Sequence, residues 1–436
     1  MKCGFGKKDI TPQAGCYMRG KAYARIAQNV VDPLYVRAIA FEETEQAVVL
    51  VFDLCGIDQV MCAHIRTYIA EKTGLNYKNI FISGTHTHTG PGLVASSTET
   101  VDEEYVAFLP RLALCAVQGA LEDLKEATVF GAQSELENVT YVRRYRMKDG
   151  TVRTNPGKNP DVVGPMSPAD ETIRLLKFVR EGADDILLVN FQCHPDVMNS
   201  KGYSADYPGV VCNTLERALP GNKCIYFNGT CGDLNHINIH CPDWDPCTGP
   251  GQVEYMGFSI AGKILSMYTK ARPIQTGPVH TEEKFVTIRL KAPEPERLEE
   301  SKRIWQLHES GQDDQIPFKG MELITAVFEA KQIIERSKPG YQSEKTVSVC
   351  GFSMGDICMV GIPGEGFCDI GRQIRENSPF PMQLTLGICN GYEGYFPMKD
   401  AFEVNGYESR TARFVAGIGE ALADAGKEVS QALRNA

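Results

Sequence analysis

Apolar positions along this chain come in short blocks that switch between two periods. Val48-Val-Leu-Val-Phe52 is an unbroken apolar run ending on Asp53, as expected of a strand buried on both faces. From Asp58 to about Thr73 the apolar residues Val60, Met61, Ile65, Tyr68 and Ile69 recur near helical spacing, with Gly74 past the end. Asn79–Ser83 is again short, apolar and β-rich. The first 90 residues therefore predict a β-α-β unit. Further on, the pattern predicts a helix from Glu103 to about Leu124 and a looped segment over 126–165. Strands follow at Ile173–Val179, Ile186–Phe191 and Cys224–Phe227. The Tyr203–Gly209 stretch reads as a loop leading into a helix, 240–252 as loop, and Tyr255 to about Thr269 as helix. Strands are expected near 279–290, then a mostly helical excursion near 294–338 with a solvated charged face. Strands return at Thr346–Cys350, Ile357–Val360 and Gln383–Ile388, and a final helix runs over about 410–433. No solenoid-period repeat and no low-complexity segment is visible. The fold class expected is α/β, a mixed sheet with flanking helices in one large catalytic domain over 1–436.

Bulk properties narrow the functions. The chain has 436 residues, a length for one large domain or two intimately packed ones. It is 43% hydrophobic and 23% charged, which is globular composition. Its formal net charge of −10, with no Lys/Arg cluster, argues against nucleic acid or an anionic membrane as partner. No window approaches a membrane span, and the amino terminus carries no apolar signal run. Fifteen cysteines without a Cys-x-x-Cys pair read as reduced thiols of a cytoplasmic protein. Cys241 and Cys247 are the pair to test for a disulfide.

The candidate chemistry sits where strands end. His86 and His88 follow the Asn79–Ser83 strand and are closed off by Thr89-Gly-Pro-Gly92. In extended backbone they would point to one face, the disposition for a metal or for a metal ligand beside a proton carrier. His194 follows Ile186–Phe191, Glu365 follows Ile357–Val360, and Tyr392 and Tyr395 follow Gln383–Ile388. Open α/β sheets carry their sites at such edges. Two imidazoles, a carboxylate and one further ligand or water form the donor set of a catalytic zinc. Taken singly, His194 reads more readily as a loop or core histidine, Glu365 as a solvated turn residue, and Tyr392 and Tyr395 as packing aromatics; their shared position at strand exits sets them apart. Asp206, Asp233 and Asn235 fit either support of a ligating histidine or loop capping. His64, His280 and His308 read as structural.

Gly6-Lys-Lys-Asp9-Ile-Thr-Pro12, Thr85-His-Thr-His-Thr-Gly-Pro-Gly92, His194-Pro195, Gly232-Asp233, Pro363-Gly-Glu365 and Tyr392-x-x-Tyr395 with Tyr407-Glu408 follow in an order that resembles the neutral/alkaline non-lysosomal ceramidases over nearly the whole chain. The resemblance implies a zinc-dependent amidohydrolase of sphingolipid metabolism that cleaves an N-acyl bond with metal-activated water. It makes His86, His194, Glu365 and Tyr395 the Zn2+ ligands and His88 the catalytic histidine. Arg143 and Tyr407 would contact the scissile carbonyl or its oxyanion. Spacing to Tyr407 selects Tyr395 over Tyr392; Arg143 is chosen over Arg144, although the family's Asn-Arg-Ser context is here Val142-Arg143-Arg144. The secreted relatives continue into a carboxyl-terminal β-domain, whereas this chain ends on a helix. The expected partner is a small N-acyl substrate, ceramide or a soluble N-acyl compound, without stable membrane insertion and with a homo-oligomer left open. Rival readings are a zinc-dependent ester hydrolase, an amidohydrolase-superfamily barrel opened by its own His-x-His, and a non-catalytic metal-binding protein.

Overall fold

The computed structural model describes residues 1–21, 23–94 and 101–436. Among these, one topology occurs three times. Strands β1 (Lys2–Asp9), β2 (Tyr35–Glu42) and β3 (Gln46–Phe52) are antiparallel neighbours; α1 (Gln59–Thr73) crosses over to β4 (Ile80–Gly84), parallel to β3, and α2 (Glu103–Glu122) follows. The second unit repeats this: antiparallel β5 (Lys125–Glu135), β6 (Thr172–Arg180) and β7 (Asp185–Phe191), then α3 (Asp206–Ala218), β8 (Asn222–Asn228) parallel to β7, and α4 (Pro250–Tyr268). The third has β9 (Val279–Arg289), then the helical excursion α5 (Pro295–Glu309) and α6 (Gly320–Arg336). It resumes with β10 (Glu344–Met354), β11 (Ile357–Gly361), the crossover α7 (Cys368–Glu376) and β12 (Met382–Leu386) parallel to β11. Short α8 (Lys399–Glu403) and α9 (Tyr407–Thr411) precede the closing α10 (Ile418–Asn435).

The first two units join edge to edge through β1 and β5, giving a nine-stranded sheet ordered β8-β7-β6-β5-β1-β2-β3-β4, with Arg272–Pro273 also pairing β5. The third unit makes a four-stranded sheet, β9-β10-β11-β12, that packs face to face on the large one. Alternation along the strands explains how both faces are buried. On β2 and β3, Val36, Ala38, Leu50 and Phe52 face α1 and α2, while Ile39, Phe41, Val49 and Val51 face the small sheet. Phe41 lies 5.5 Å from Phe178 and 5.4 Å from Phe352, ring to ring, pinning the two sheets together. Burying each such ring contributes roughly 1.5–3 kcal/mol. Helices α3 and α4 cover the other half of the large sheet, and α7 and α10 cover the outer face of the small one. The result is four layers, helices outside and two mixed sheets within. The α/β expectation holds, and this architecture is not the barrel of the rival reading.

Local signals set the ends of α1. Asp58 accepts from the Met61 amide, and Gly74 closes the helix at φ 77° with its N–H on Ala70 O. Other expectations need correction. Within the stretch 126–165 expected as loops, β5 is an eleven-residue central strand; its small and polar residues, Gly131, Gln133 and Ser134 among them, hid it. Helix α4 starts at Pro250 rather than Tyr255, because proline suits a first turn that has no use for its N–H. Helix α3 starts at Asp206, inside the expected loop. The last helix is broken: α9 ends at Thr411, Phe414 bridges to Leu290, and Gly417 at φ 99° opens α10.

Candidate metal centre

Each unit ends its parallel strand pair at the same place. Beyond β3 and β4 lie Cys55 and His86; beyond β7 and β8 lie His194 and the 229–236 loop; beyond β11 and β12 lie Glu365, Tyr392 and Tyr395. Backbone bonds knit the three exits together: Gly84 N to Ile388 O, Gly229 N to Phe191 O, and Gly387 N to Asn228 O.

The side chains at these exits meet. His86 Nε2 is 3.2 Å from His194 Nε2 and 3.4 Å from Glu365 Oε2, and His194 Nε2 is 3.0 Å from the same carboxylate oxygen. His86 is not in extended backbone, as the two-residue alternation required; its φ is 72°, a conformation costing about 1–3 kcal/mol in a non-glycine residue. His88 still brings its Nε2 to 3.3 Å from His86 Nε2. The opposite ring nitrogens explain the cluster. His86 Nδ1 sits 2.5 Å from Cys55 O, and His194 Nδ1 lies 2.8 Å and 3.0 Å from Cys231 O and Leu234 O. A carbonyl only accepts, so each Nδ1 carries its proton and each Nε2 of a neutral ring presents a lone pair. Two lone pairs and a carboxylate oxygen facing one point cannot satisfy one another, and all three residues are buried. That donor set fits a divalent cation such as zinc, to be held by His86, His194 and Glu365.

The carboxylate has its own anchor. Glu365 Oε1 accepts from the Tyr392 hydroxyl at 2.6 Å. Burial pushes the His88 ring below its ordinary range. Tyr395 pairs with Glu365 in the register of a short parallel ladder. Its ring lies 5.6 Å from that of Tyr407, and the Arg143 guanidinium stands over both rings at 5.3 and 5.6 Å. Arg143 donates to Glu408 Oε1 and to Gly232 O, each at 2.7 Å. Burial opposes its charge, yet Tyr395, Glu408 and Tyr407 keep its pKa well above the ordinary value. Arg144 points elsewhere, over the Phe367 ring and toward Asp400.

The candidate supports behave differently from expectation. Asp206 is buried but reaches no ligating histidine; it accepts from the amides of Val197, Met198 and Tyr207 and so shapes the chain after His194-Pro195. Asp233 accepts from the Cys368 amide at the start of α7, and Asn235 binds Asn155. The acceptors that hold the histidines are backbone carbonyls instead, which no side-chain pattern announces. Near His88, Asp196 lies 3.1 Å from His236 Nδ1 and 3.7 Å from Lys21 Nζ. The excursion is also more than a solvated face. Glu329 on α6 is buried against Arg297 and Arg410, and Phe328 meets Tyr407 ring to ring at 6.3 Å. His64 lies on α1, His280 in β9 and His308 on α5, away from the cluster. All fifteen cysteines are free thiols, Cys241 and Cys247 included.

Residues 1–226 match the family model described as neutral/alkaline non-lysosomal ceramidase, N-terminal. Two solved structures share the fold. One is a neutral ceramidase from Pseudomonas aeruginosa, 19% identical, covering 100% of this chain and 74% of its own length with a TM-score of 0.76. The other is a ceramidase complexed with C2, 19% identical, covering 100% of this chain and 75% of its own, with a TM-score of 0.77.

Proposed function

The chain belongs to the neutral/alkaline non-lysosomal ceramidase family, and from that premise we propose that it is a zinc-dependent amidohydrolase cleaving the N-acyl bond of ceramide or of a soluble N-acyl compound. One observation carries the reading: the buried convergence of His86 Nε2, His194 Nε2 and Glu365 Oε2 within 3.0–3.4 Å, with the far ring nitrogens already committed to carbonyls. Tyr395 completes the proposed ligand set. A zinc ion there supplies a Lewis acid and hydroxide-like water near neutral pH.

The chain's own groups divide the remaining tasks. Arg143 and Tyr407 orient the acyl carbonyl and donate to its oxygen as negative charge develops there. Glu408 and Gly232 O fix the Arg143 fork from behind, so it is already aimed. His88 Nε2 takes the proton released by the attacking water and returns it to the amide nitrogen as the C–N bond breaks and the new C–O bond is kept. The products are a carboxylic acid and a free amine. Tyr392 keeps Glu365 oriented throughout. No helix among the described residues is long and apolar enough to cross a membrane. The free thiols support the proposed cytoplasmic setting.

The test is metal content of purified protein beside His86→Ala, followed by amine release from a panel of ceramides and soluble N-acyl compounds. About one zinc per chain, lost in the variant together with amide hydrolysis, is expected. A zinc-free wild type with undiminished hydrolysis refutes the mechanism; bound zinc with activity on esters alone refutes the amidase assignment.

A further inference from the structure

Away from the histidine cluster, a cavity of about 590 Å3 opens at the edge of the gap between the two sheets. The end of β5, the start of β6, the second half of α7 and the segment before β12 meet there. Arg174 on β6 lines it and is only 4% exposed. Arg174 is opposite Asn190 in register, and the Asn190 amide reaches Thr385 O on β12, so this row of β6 side chains faces the small sheet. Among the described residues no carboxylate lies within ion-pair distance of Arg174, and its buried Nη1 has no hydrogen-bond partner.

The neighbouring charges are already committed. Asp170 is taken by Arg375 Nη2, and Arg375 Nη1 reaches Thr385 Oγ1. Arg372 is held by Asp369 and Pro168 O. The lining carries four carboxylates and three arginines, and among the described residues Arg174 is the one of the three that no carboxylate meets. Burial and the Arg375 charge press the Arg174 guanidinium below its ordinary range, as an unpaired cation at this depth must experience. Proteins rarely bury an arginine without a partner, because the charge loses its hydration and gains nothing in exchange. At the mouth stand Glu135, Glu171 and Glu376, two of them exposed, which repel an extended polyanion.

We infer that Arg174 anchors a second site, separate from the metal centre, that takes the oxyanion head of a small molecule, a carboxylate or a phosphate. The planar guanidinium presents paired donors that match two oxygens of such a head. The cavity is large enough for a small organic body behind the head. None of the proposed zinc ligands or carbonyl-binding residues lines it.

The test uses the full chain in thermal denaturation with inorganic phosphate, with acetate, and with chloride at matched ionic strength. A saturable rise in Tm in the millimolar range, with phosphate or acetate and beyond chloride, is expected; whichever arm responds identifies the head. Arg174→Met removes the unpaired charge, so it should abolish that increment while raising the Tm found without added anion. Thr172→Glu, two residues along the same face of β6, supplies a carboxylate in place and should abolish the increment independently, which covers an Arg174 variant that does not fold. Equal responses to all three salts in the wild type, or an increment that survives Thr172→Glu, overturns the proposal. So does calorimetric titration of phosphate and acetate into the wild type without binding heat.

Discussion

Replacing Tyr392 by phenylalanine removes one oxygen and little else. The ring packs on Gly56, where even a Cβ would come within 2.6 Å of it, so phenylalanine keeps the same seat. What disappears is the 2.6 Å hydrogen bond to Glu365 Oε1, leaving a buried carboxylate oxygen unsatisfied. A hydrogen bond to an ionised group contributes about 1.5–3 kcal/mol. At about 1.4 kcal/mol per factor of ten, that predicts a metal affinity roughly 10- to 100-fold weaker, in the range known for residues that orient metal ligands. The dissociation constant for zinc, measured by competition with a chromophoric chelator at fixed pH, should rise by that factor. Thermal unfolding of the metal-free variant should show a modest loss of stability and no loss of fold. An affinity within about twofold of the wild type, with the variant folded, would refute the idea that Tyr392 holds the carboxylate in its ligating orientation.

Three further outcomes follow from the same geometry. Phe328→Ala withdraws the ring that backs Tyr407; kcat should fall about 10- to 100-fold with zinc content and KM little changed, since a small misplacement of a carbonyl donor is enough, and an unchanged kcat speaks against any role of the excursion in positioning. Gly232→Ala would put a Cβ 2.3 Å from the Glu365 backbone oxygen; expected are a loss of about 1–3 kcal/mol in stability and a lower zinc content, and normal values of both remove Gly232 from the argument. The Asp206 carboxyl is raised from 3.8 to about 6 by burial, so the folded chain keeps its proton in a window where the unfolded chain has lost it. Stability linked to this group is therefore full below pH 4 and lost as pH rises through 6, by up to about 3 kcal/mol; the stability difference between wild type and Asp206→Asn should fall by that amount between pH 4 and pH 7, and a flat difference contradicts the shift.

The fold class was legible in the block pattern, while the way the sheets stack was not. His194, Glu365 and Tyr395 each stand next to a glycine or proline, but that local signature singles out no ligand by itself, and the proposed set rests on the family resemblance. The stacking of two sheets has no such signature, because strands buried on both faces look alike whether helices or a second sheet cover them. Strand β5 was hidden because small and polar residues weaken a strand pattern that tertiary pairing nevertheless enforces. The histidine anchors Cys55 O, Cys231 O and Leu234 O are backbone atoms, which every residue possesses and no sequence distinguishes. Tyr392 was weighed as a packing aromatic, and only its hydroxyl on Glu365 separates it from one. The threefold topology is likewise a property of connections, with no residue period to betray it.

That topology has a kinetic consequence. His86 and His194 are 108 residues apart and His194 and Glu365 are 171 apart, and each is delivered by a different unit. No early, local encounter during folding can bring them together; the loops to be closed are long. The first two units can pair along β1 and β5 and already juxtapose both imidazoles, but the carboxylate arrives only when the third sheet docks. Zinc should accordingly bind tightly only to chains that have completed this last step and draw the population toward them, so the rate of high-affinity zinc uptake during refolding becomes a clock for sheet docking.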